Sequence, residues 1–270
     1  MSAGPLTVAL GLKRDDVVAI VGGGGKTAAM FRLAGEVAAG GGRVVTTTTT
    51  HIFASQLALA PAHLLDAEVT RARLQAALDA HRHVLVTGPT DPETQRAAGL
   101  SALRFRALRL WCPDACLVTE ADGSRMRPFK APAEHEPVIP AETTLVLLVV
   151  GADALGRPLD AEHVHRPERV SLLSGARSGA TVTPEVVARV LTHPDGGRKH
   201  VPAAARLIVL INKVETLADA APARATAALL LRESAIEAVL LTTLRAEHPV
   251  LEVLVRNPRS IFEARNPGRP

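Results

Sequence analysis

A run of four glycines followed by lysine and threonine constrains this chain more than any other feature of its sequence. The run, GGGGKT at residues 22–27, follows an apolar segment at 17–21 and leads into a stretch of helical periodicity that continues to Ala39. Glycines let backbone N–H groups point at phosphate oxygens, and the start of a helix carries a partial positive charge that favours anions. The order strand, glycine loop, helix therefore predicts a loop that holds the phosphates of a nucleotide.

The residues of this loop have separate expected roles. Backbone amides contact the phosphates, the lysine ammonium reaches the β- and γ-phosphates, and the threonine hydroxyl holds Mg²⁺. The expected nucleotide-binding residues of the loop are Gly22, Gly23, Gly24, Gly25, Lys26 and Thr27.

The spacing of the loop departs from the commonest pattern of this kind. GxxxxGK[ST] would require glycine at position 20, where Ile20 stands. The shorter GxxGKT that remains is similar to the loop of the Mur ligases. The alternative is a glycine-rich turn with a solvated lysine, but the position between a strand and a helix favours the nucleotide loop.

Short apolar segments alternate with helical stretches along the 270 residues. This alternation is typical of βαβ units, which build a mostly parallel sheet covered by helices on both faces. We predict an α/β fold of three layers, like that of P-loop NTPases, as a single domain over residues 1–256 with a flexible tail at 257–270. Its sheet of about seven strands takes residues 17–21, 43–47, 83–87, 115–119, 144–150, 206–211 and 238–242. Helices are predicted at 27–39, 69–80 and 222–232, and another begins at Pro184 behind the N-cap residue Thr183.

Composition narrows the classes of partner. Lys+Arg 31 against Asp+Glu 27 leaves a net charge of +4, but aromatic residues are 2%, too few to stack on single-stranded bases, so no nucleic acid is expected. The longest apolar run, residues 145–150, is far shorter than the roughly 20 residues of a membrane helix, so no membrane association is expected. The start lacks the pattern of a signal peptide, and the two cysteines, Cys112 and Cys116, are interpreted as buried thiols. Both features predict a cytoplasmic location.

Two carboxylates end the fourth predicted strand, where open α/β sheets place their ligands. We assign Asp122 to Mg²⁺ and Glu120 to the orientation of a nucleophile, with the exchanged assignment open and capping of the next turn as the alternative. A run of threonines at 46–50 reaches the same edge, and Thr48 and Thr49 are candidates for Mg²⁺ or the γ-phosphate. Threonines are also simply good strand formers.

The sixth predicted strand is followed by the sequence NKVE, with Asn212, Lys213 and Glu215. In GTPases NKxD at this place reads guanine, and Glu215 is one methylene longer than the aspartate of that pattern. Residues 242–244 end the last strand where GTPases place another contact to the base. The expected cofactors are therefore a nucleoside triphosphate, with GTP slightly favoured over ATP, and Mg²⁺.

Several segments together are more specific than the glycine loop alone. They are VVAIVGGGGKT, the TTTTTHI run, EADGSRMRPFKAPAEHEPVIP, VVGADALGRPL, HRPE at 165–168 and INKVE. In these segments the chain resembles the YqeC family of proposed accessory proteins of selenium-dependent molybdenum hydroxylases. The resemblance implies a P-loop protein that matures or inserts the selenium-containing cofactor, with the molybdenum hydroxylase as its client. It does not imply a particular reaction.

The longest non-periodic segment, residues 121–140, is the functional loop of this interpretation. We expect it to bind an anionic small-molecule second substrate, for which a molybdopterin-type cofactor is a candidate. Arg125 and Arg127 would clamp a phosphate or act as an arginine finger. A metal site in the acidic-His-acidic triplet 134–136 is the less favoured alternative, because consecutive residues rarely converge on one ion. The expected substrate-binding residues are Arg125, Arg127, Lys130, Glu134, His135 and, after the fifth strand, Asp153.

Three hypotheses follow. The first is a Mg²⁺-dependent NTP hydrolase or NTP-dependent transferase with Lys26, Glu120, Asp122 and Arg125 as its catalytic residues. The second is a nucleotide-gated chaperone or switch that delivers the cofactor to an apo-hydroxylase without covalent chemistry. The third, suggested by the short loop, is ligase or kinase chemistry on the cofactor.

Overall fold

The structure is a computed structural model that describes residues 4–256, apart from the side chain of Leu217. The predicted flexible tail at 257–270 lies outside the described residues. The helices of the described part are α1 (Leu6–Ala9), α2 (Lys26–Ala39), α3 (Arg71–His81), α4 (Ala102–Trp111), α5 (Pro167–Ser174), α6 (Pro184–Thr192) and α7 (Leu217–Leu230). The strands are β1 (Val17–Gly22), β2 (Val44–Thr48), β3 (His51–Phe53), β4 (His63–Leu65), β5 (His83–Thr87), β6 (Thr90–Asp91), β7 (Arg96–Ala98), β8 (Cys116–Glu120), β9 (Phe129–Lys130), β10 (Leu145–Gly151), β11 (Val164–His165), β12 (Arg206–Asn212), β13 (Ala238–Thr242) and β14 (Val250–Val255).

A nine-stranded sheet organises the fold, in the order β14-β13-β12-β10-β1-β8-β2-β5-β4. All neighbours pair in parallel except β14, which is antiparallel to β13. The predicted α/β class with a mostly parallel sheet is confirmed, and each of the seven predicted strands is present to within one residue at either end. The prediction of about seven strands is wrong, because it missed both edges. Strand β4 has only three residues, and β14 is mostly half-exposed, so neither is a continuous buried apolar run.

Helices cover both faces of this sheet. Side chains of β1 alternate between the faces, so Val18 and Ile20 pack in one core with α1 and α2, while Ala19 and Val21 pack in another with α6 and α7. Helices α3 and α4 form a third core with β5 and the start of β1. The layered arrangement therefore follows from continuous apolar strands, whose two faces must both be covered.

The predicted helix boundaries hold best where a cap is present. Thr183 accepts a hydrogen bond from the Val186 amide and begins α6, as expected. The helix predicted at 222–232 instead begins five residues earlier, because Thr216 and Asp219 form a capping box and Pro222 lies inside α7. A proline inside a helix removes one backbone donor, which is why its position suggested a start.

The carboxyl ends of the central strands meet at one edge of the sheet. Gly22 ends β1, Glu120 ends β8, Thr48 ends β2, Gly151 ends β10 and Asn212 ends β12. Residues 121–140 cross this edge with only the two-residue strand β9, which pairs with β11. A small antiparallel sheet, β3-β7-β6, lies apart from the main sheet. No helix within residues 4–256 combines the length and the apolarity needed to span a bilayer.

Candidate functional site

The glycine loop is shaped by backbone contacts that exclude side chains. Gly22 and Gly24 have φ of 100° and 77°, in the region that favours glycine. A Cβ on Gly22 would overlap the carbonyl oxygen of Val149, and one on Gly24 would overlap the backbone of Gly151. The loop is therefore packed directly against the end of β10, and glycine is required at both positions.

Backbone amides of this loop fall into two groups. The amides of Gly23 and Gly24 donate to the carbonyls of Val149 (2.9 Å) and Arg127 (3.1 Å). At the start of α2, by contrast, four amides have no hydrogen-bond acceptor within residues 4–256, namely those of Gly25, Lys26, Thr27 and Ala28. The free donors at a helix start are the groups that bind phosphate in nucleotide loops.

Lys26 lies beneath the loop and is almost fully enclosed, with 3% of its surface exposed. Its ammonium donates to the Gly22 carbonyl at 2.8 Å and lies 3.3 Å from Asp122 and 3.4 Å from Glu120. Burial lowers the pKa of Lys26, but the two carboxylates more than compensate, so this pKa is raised above its usual value. The lysine is therefore a cation at every physiological pH, as a phosphate-binding lysine must be.

The two carboxylates at the end of β8 have different partners. Asp122 accepts the Gly22 amide on both oxygens, at 3.1 and 3.0 Å, and thereby holds the start of the loop. Glu120 accepts the hydroxyl of Thr27 at 2.8 Å. The structure thus places Glu120, not Asp122, beside the threonine that was assigned to Mg²⁺.

A buried ion network continues from Asp122 into the 121–140 loop. Lys130 lies 3.0 Å from Asp122 and 2.6 Å from Glu136, and it also donates to the Gly123 carbonyl at 2.6 Å. Arg166 donates to both oxygens of Glu136, at 2.7 and 3.2 Å. Although burial raises the pKa of Glu136, hydrogen bonds and charges of Arg166 and Lys130 lower it to about 2.

This network corrects two expectations. Lys130 is 3% exposed and paired with carboxylates, so it anchors the loop and does not face a second substrate. Glu136, which was left out of the predicted site residues, is the loop carboxylate that the fold buries, whereas Glu134 and His135 are exposed. Within residues 4–256 no group of three or more histidine, cysteine, aspartate and glutamate side chains is arranged to hold a metal ion, so the triplet is not such a site. The sequence gives little indication that Glu136 is buried, because this loop lacks the alternating apolar residues that mark a buried segment.

The hydroxyls of the threonine run are used within the protein. Thr48 donates to the Glu120 carbonyl at 2.9 Å, and Thr49 donates to the Val138 carbonyl at 2.8 Å. Thr48 therefore links β2 to β8 beside the site, while Thr49 fastens the far end of the 121–140 loop. Neither hydroxyl contacts Lys26, Thr27 or Asp122.

Asn212 connects the glycine loop to the next loops along the sheet edge. Its side-chain amide donates to the Gly24 carbonyl at 2.8 Å, and its oxygen accepts the Leu244 amide at 3.1 Å. Lys213, with φ of 65°, pairs with Asp153 at 2.7 Å, while the side chain of Glu215 is exposed. The structure thus brings NKVE and the end of β13 together beside the glycine loop, and Asp153 contacts Lys213 here.

The two arginines of the 121–140 loop lie on its other side. Arg125 is exposed, and Arg127 donates from Nε to the Ala161 carbonyl at 3.0 Å. Both line an open groove of about 370 Å³, which we call the basic groove. Its lining residues are Arg125, Arg127, Ala161, Val164, His165, Arg166, Pro167 and Glu168.

Both cysteines are buried and free, as expected. Burial raises the pKa of Cys112 to about 11 and that of Cys116 to about 12. Because the thiolate is the reactive form, neither side chain is suited to carry selenium or sulfur.

Comparisons with known proteins identify relatives of this chain. A family model described as "YqeC protein" matches residues 18–168, which include the glycine loop, the buried ion network and all the lining residues of the basic groove. A curated relative from Escherichia coli (strain K12), described as "Uncharacterized protein YqeC", is 34% identical over 135 residues. That match covers 50% of this chain and 52% of the relative, so the chain spans about half the length of the curated protein.

Solved structures were compared with the chain as well. The structure of chloroplast FtsY from Physcomitrella patens aligns with 94% of this chain and 66% of its own, at 11% identity and a TM-score of 0.44. The family model, in contrast, covers more than half of the chain at the level of sequence. This protein therefore belongs to the YqeC family.

Proposed function

We propose that this protein is a P-loop protein that binds a nucleoside triphosphate with Mg²⁺ at the glycine loop and uses it in the maturation of the selenium-containing cofactor of molybdenum hydroxylases. One observation carries the nucleotide part. At the carboxyl edge of a parallel sheet, the first turn of α2 combines a buried lysine, Lys26, with four backbone amides that have no acceptor within residues 4–256. The maturation role is supported by membership of the YqeC family and by the resemblance described for its motifs.

The donor set beside Lys26 fits Mg²⁺, which prefers oxygen ligands. The Thr27 hydroxyl oxygen lies 2.8 Å from a carboxylate oxygen of Glu120, and these two side chains would hold the ion. Asp122 instead keeps the glycine loop in place through the Gly22 amide. The Mg²⁺ role predicted for Asp122 thus passes to Glu120 in this proposal. When bound, Mg²⁺ would supply positive charge to the phosphate oxygens.

GTP is the nucleotide that the sheet edge favours. Asn212 joins the Gly24 carbonyl to the Leu244 amide, so the loops that would surround a base are fixed relative to the phosphate loop. The exposed carboxylate of Glu215 is free to accept the ring N–H and exocyclic amine of guanine. Adenine offers an acceptor at the position of that ring N–H, so the same carboxylate would disfavour ATP.

A nucleotide-gated carrier is the second candidate, and one observation favours it. Both carboxylates at the end of β8 are paired with Lys26, and Asp122 is paired with Lys130 as well. Neither is therefore an unpaired base that could activate a nucleophile. In this version nucleotide binding changes the 121–140 loop, and the cofactor passes to the client hydroxylase without a covalent bond.

The test is a thermal-shift panel of GTP, ATP and CTP with and without Mg²⁺. A ligand at 100 times its Kd adds about 2.7 kcal/mol to native-state stability, so a specific nucleotide raises Tm by several degrees. Lys26→Ala and the milder Thr27→Ala should reduce the Tm shift with GTP and Mg²⁺, while Lys13→Ala, at an exposed lysine, should preserve it. The proposal fails if no nucleotide raises Tm, or if the loop variants respond like the Lys13 control.

A second experiment separates the two candidates. The wild-type protein is incubated with GTP, Mg²⁺ and a molybdopterin-type cofactor, and the small molecules are analysed by mass spectrometry. A stoichiometric guanylated or phosphorylated cofactor supports the transferase and excludes the carrier. Slow hydrolysis that an apo-hydroxylase accelerates, with an unmodified cofactor, supports the carrier.

A further inference from the structure

The basic groove is separated from the glycine loop by a single stretch of chain, residues 125–128. This stretch contributes the Arg127 carbonyl to Gly24 and the Pro128 carbonyl to Gly151 (2.8 Å). The side chains of Arg125 and Arg127, by contrast, line the groove. The groove is therefore a distinct space on the opposite side of the same segment.

Positive charge in this groove is available to a ligand. Arg125 has no hydrogen-bond or ion-pair partner within residues 4–256, and Arg127 uses only its Nε, which leaves both terminal nitrogens free. Arg166 is occupied by Glu136 and forms a fixed wall. Glu168 is the one carboxylate in the lining, so the two free guanidinium groups outnumber it.

Three residues at or beside the groove have unusual backbone conformations. Arg125, Met126 and Arg166 have φ of 48°, 62° and 62°, in the left-handed region that residues with a Cβ seldom adopt. Such conformations are unfavourable for residues with a Cβ and persist where surrounding contacts fix them. Here the Arg166–Glu136 pair and the backbone contacts of Arg127 fix the main chain from which the arginine side chains reach the groove.

The pKa of His165, which lines the groove, is lowered by burial and by the positive charges around it. Burial, followed by the positive charges of Arg166, Lys130 and Arg125, lowers the pKa of His165 to about 4 against the opposing effect of Glu136. The ring is therefore neutral at pH 7, and neither ring nitrogen has a hydrogen-bond partner within residues 4–256. A neutral imidazole in a cationic wall can donate one hydrogen bond to an anion without adding repulsion to the arginines.

We propose that the basic groove binds the phosphate group of a phosphorylated small molecule, with Arg125 and Arg127 as the primary ligands and His165 as an additional donor. Guanidinium forks pair with phosphate and carboxylate oxygens alike. Two arginines and an imidazole donor favour the phosphate, because a phosphate monoester offers three terminal oxygens and up to two negative charges, whereas a carboxylate offers two oxygens and one charge. A volume of about 370 Å³ is in the range of pockets for small organic ligands and is too small for a folded partner. The inference rests on the proposed function in naming the chemical class of its second substrate, but the binding itself requires no nucleotide.

The experiment measures Kd by isothermal titration of the full chain with phenyl phosphate, in the absence of nucleotide and Mg²⁺. The double variant Arg125→Ala, Arg127→Ala should weaken binding about tenfold or more, since it removes both guanidinium groups and their charge-assisted hydrogen bonds to the phosphate. A control double variant, Arg106→Ala with Arg232→Ala, removes two exposed arginines whose side chains have no partner in the described part of the chain. It changes net charge equally and should alter Kd less than about twofold.

Three outcomes would overturn the inference. The first is an equal loss in both double variants, which means non-specific attraction. The second is binding that Lys26→Ala removes but the groove variant retains, which places phenyl phosphate on the glycine loop. The third is that benzoate binds as tightly as phenyl phosphate, which would mean that the groove does not select phosphorylated ligands. A groove that binds phenyl phosphate in a protein without a GTP-dependent thermal shift would sustain this inference while the proposed function failed.

Discussion

The backbone amide of Gly24 donates a hydrogen bond of 3.1 Å to the carbonyl of Arg127, whose side chain lines the basic groove. One residue of the 121–140 loop thus contacts the glycine loop with its backbone and the groove with its guanidinium. A phosphate that takes the Gly24 amide must displace the Arg127 carbonyl.

The first prediction concerns coupling between the two sites. A triphosphate that takes the Gly24 amide in addition to the four free amides would move Arg127 and disturb the groove, so saturating GTP with Mg²⁺ should weaken phenyl phosphate binding by about fivefold or more. Thermodynamic linkage requires saturating phenyl phosphate to weaken GTP binding by the same factor. Isothermal titration in both orders checks this, and Kd values that neither ligand changes for the other would show that the sites are independent.

Removal of the buried lysine should destabilise the fold as well as nucleotide binding. Lys26→Ala leaves Asp122 and Glu120 buried without their shared cation, a change that costs about 3–5 kcal/mol in comparable pairs. Adding Glu120→Gln to that variant should recover part of the loss, because one uncompensated charge is removed. Urea unfolding measures the free energy of unfolding of both variants. A double variant no more stable than Lys26→Ala would show that Lys26 does not compensate the charge of Glu120.

Two glycines in different backbone environments should respond in opposite directions to alanine. Gly22→Ala places a Cβ on the Val149 carbonyl at φ of 100°, so we expect severe destabilisation or insoluble protein. Gly35 lies within α2, with no atom within 4 Å of a Cβ, so Gly35→Ala should stabilise by about 0.5–1 kcal/mol. Tm values of the two variants provide the comparison, and similar Tm values would contradict the loop geometry.

The Glu136 carboxylate should make a stability contribution that depends on pH. Its pKa falls from an ordinary 4.5 to about 2 in the folded state, so the unfolded chain takes up this proton first as pH falls. The contribution is complete above about pH 4.5 and is lost as pH falls toward 2. Glu136→Gln should therefore have a lower free energy of unfolding than the wild type at pH 7. This difference in free energy should become smaller as pH falls below 4.5.

Urea unfolding at pH 7, 4 and 3 measures that difference. Glu134→Gln, at an exposed carboxylate two residues away, is the matched control and should show little difference at any pH. A Glu136→Gln difference that stays constant between pH 7 and 3 would mean that this carboxylate is not held by Lys130 and Arg166 as described.

The thiols should resist modification in the native state. With pKa values of about 11 and 12, Cys112 and Cys116 hold little thiolate at pH 8. Reaction with a disulfide reagent should be at least about 100-fold slower in native protein than in urea. Fast labelling of either cysteine in the native protein would show that it is accessible.

The sequence was informative where one local pattern decides the structure. The strands of the central sheet are unbroken apolar runs such as Leu145–Gly151, and these were located to within one residue. The edge strand β14 was missed because its burial depends on pairing with β13, which no local pattern encodes. Pro222 was placed at a helix start because the capping box at Thr216 and Asp219 was not recognised.

The same distinction applies to the site. Lys26, Thr27 and the carboxylates of β8 were located by their positions in a motif, and they lie together. The partners of Lys130 and Glu136 depend on the path of an irregular loop, so their burial could not be read from residue types. Lys130 was therefore expected to face a ligand, although the fold uses it as an internal cation.

The buried ion network has one further consequence, which concerns its total charge. Lys26, Lys130 and Arg166 provide three positive charges, and Glu120, Asp122 and Glu136 provide three negative ones, so the network sums to zero. It holds no surplus cation for the several negative charges of a triphosphate. The protein should therefore discriminate strongly between free and metal-complexed nucleotide, because the ligand must bring its own neutralising charge.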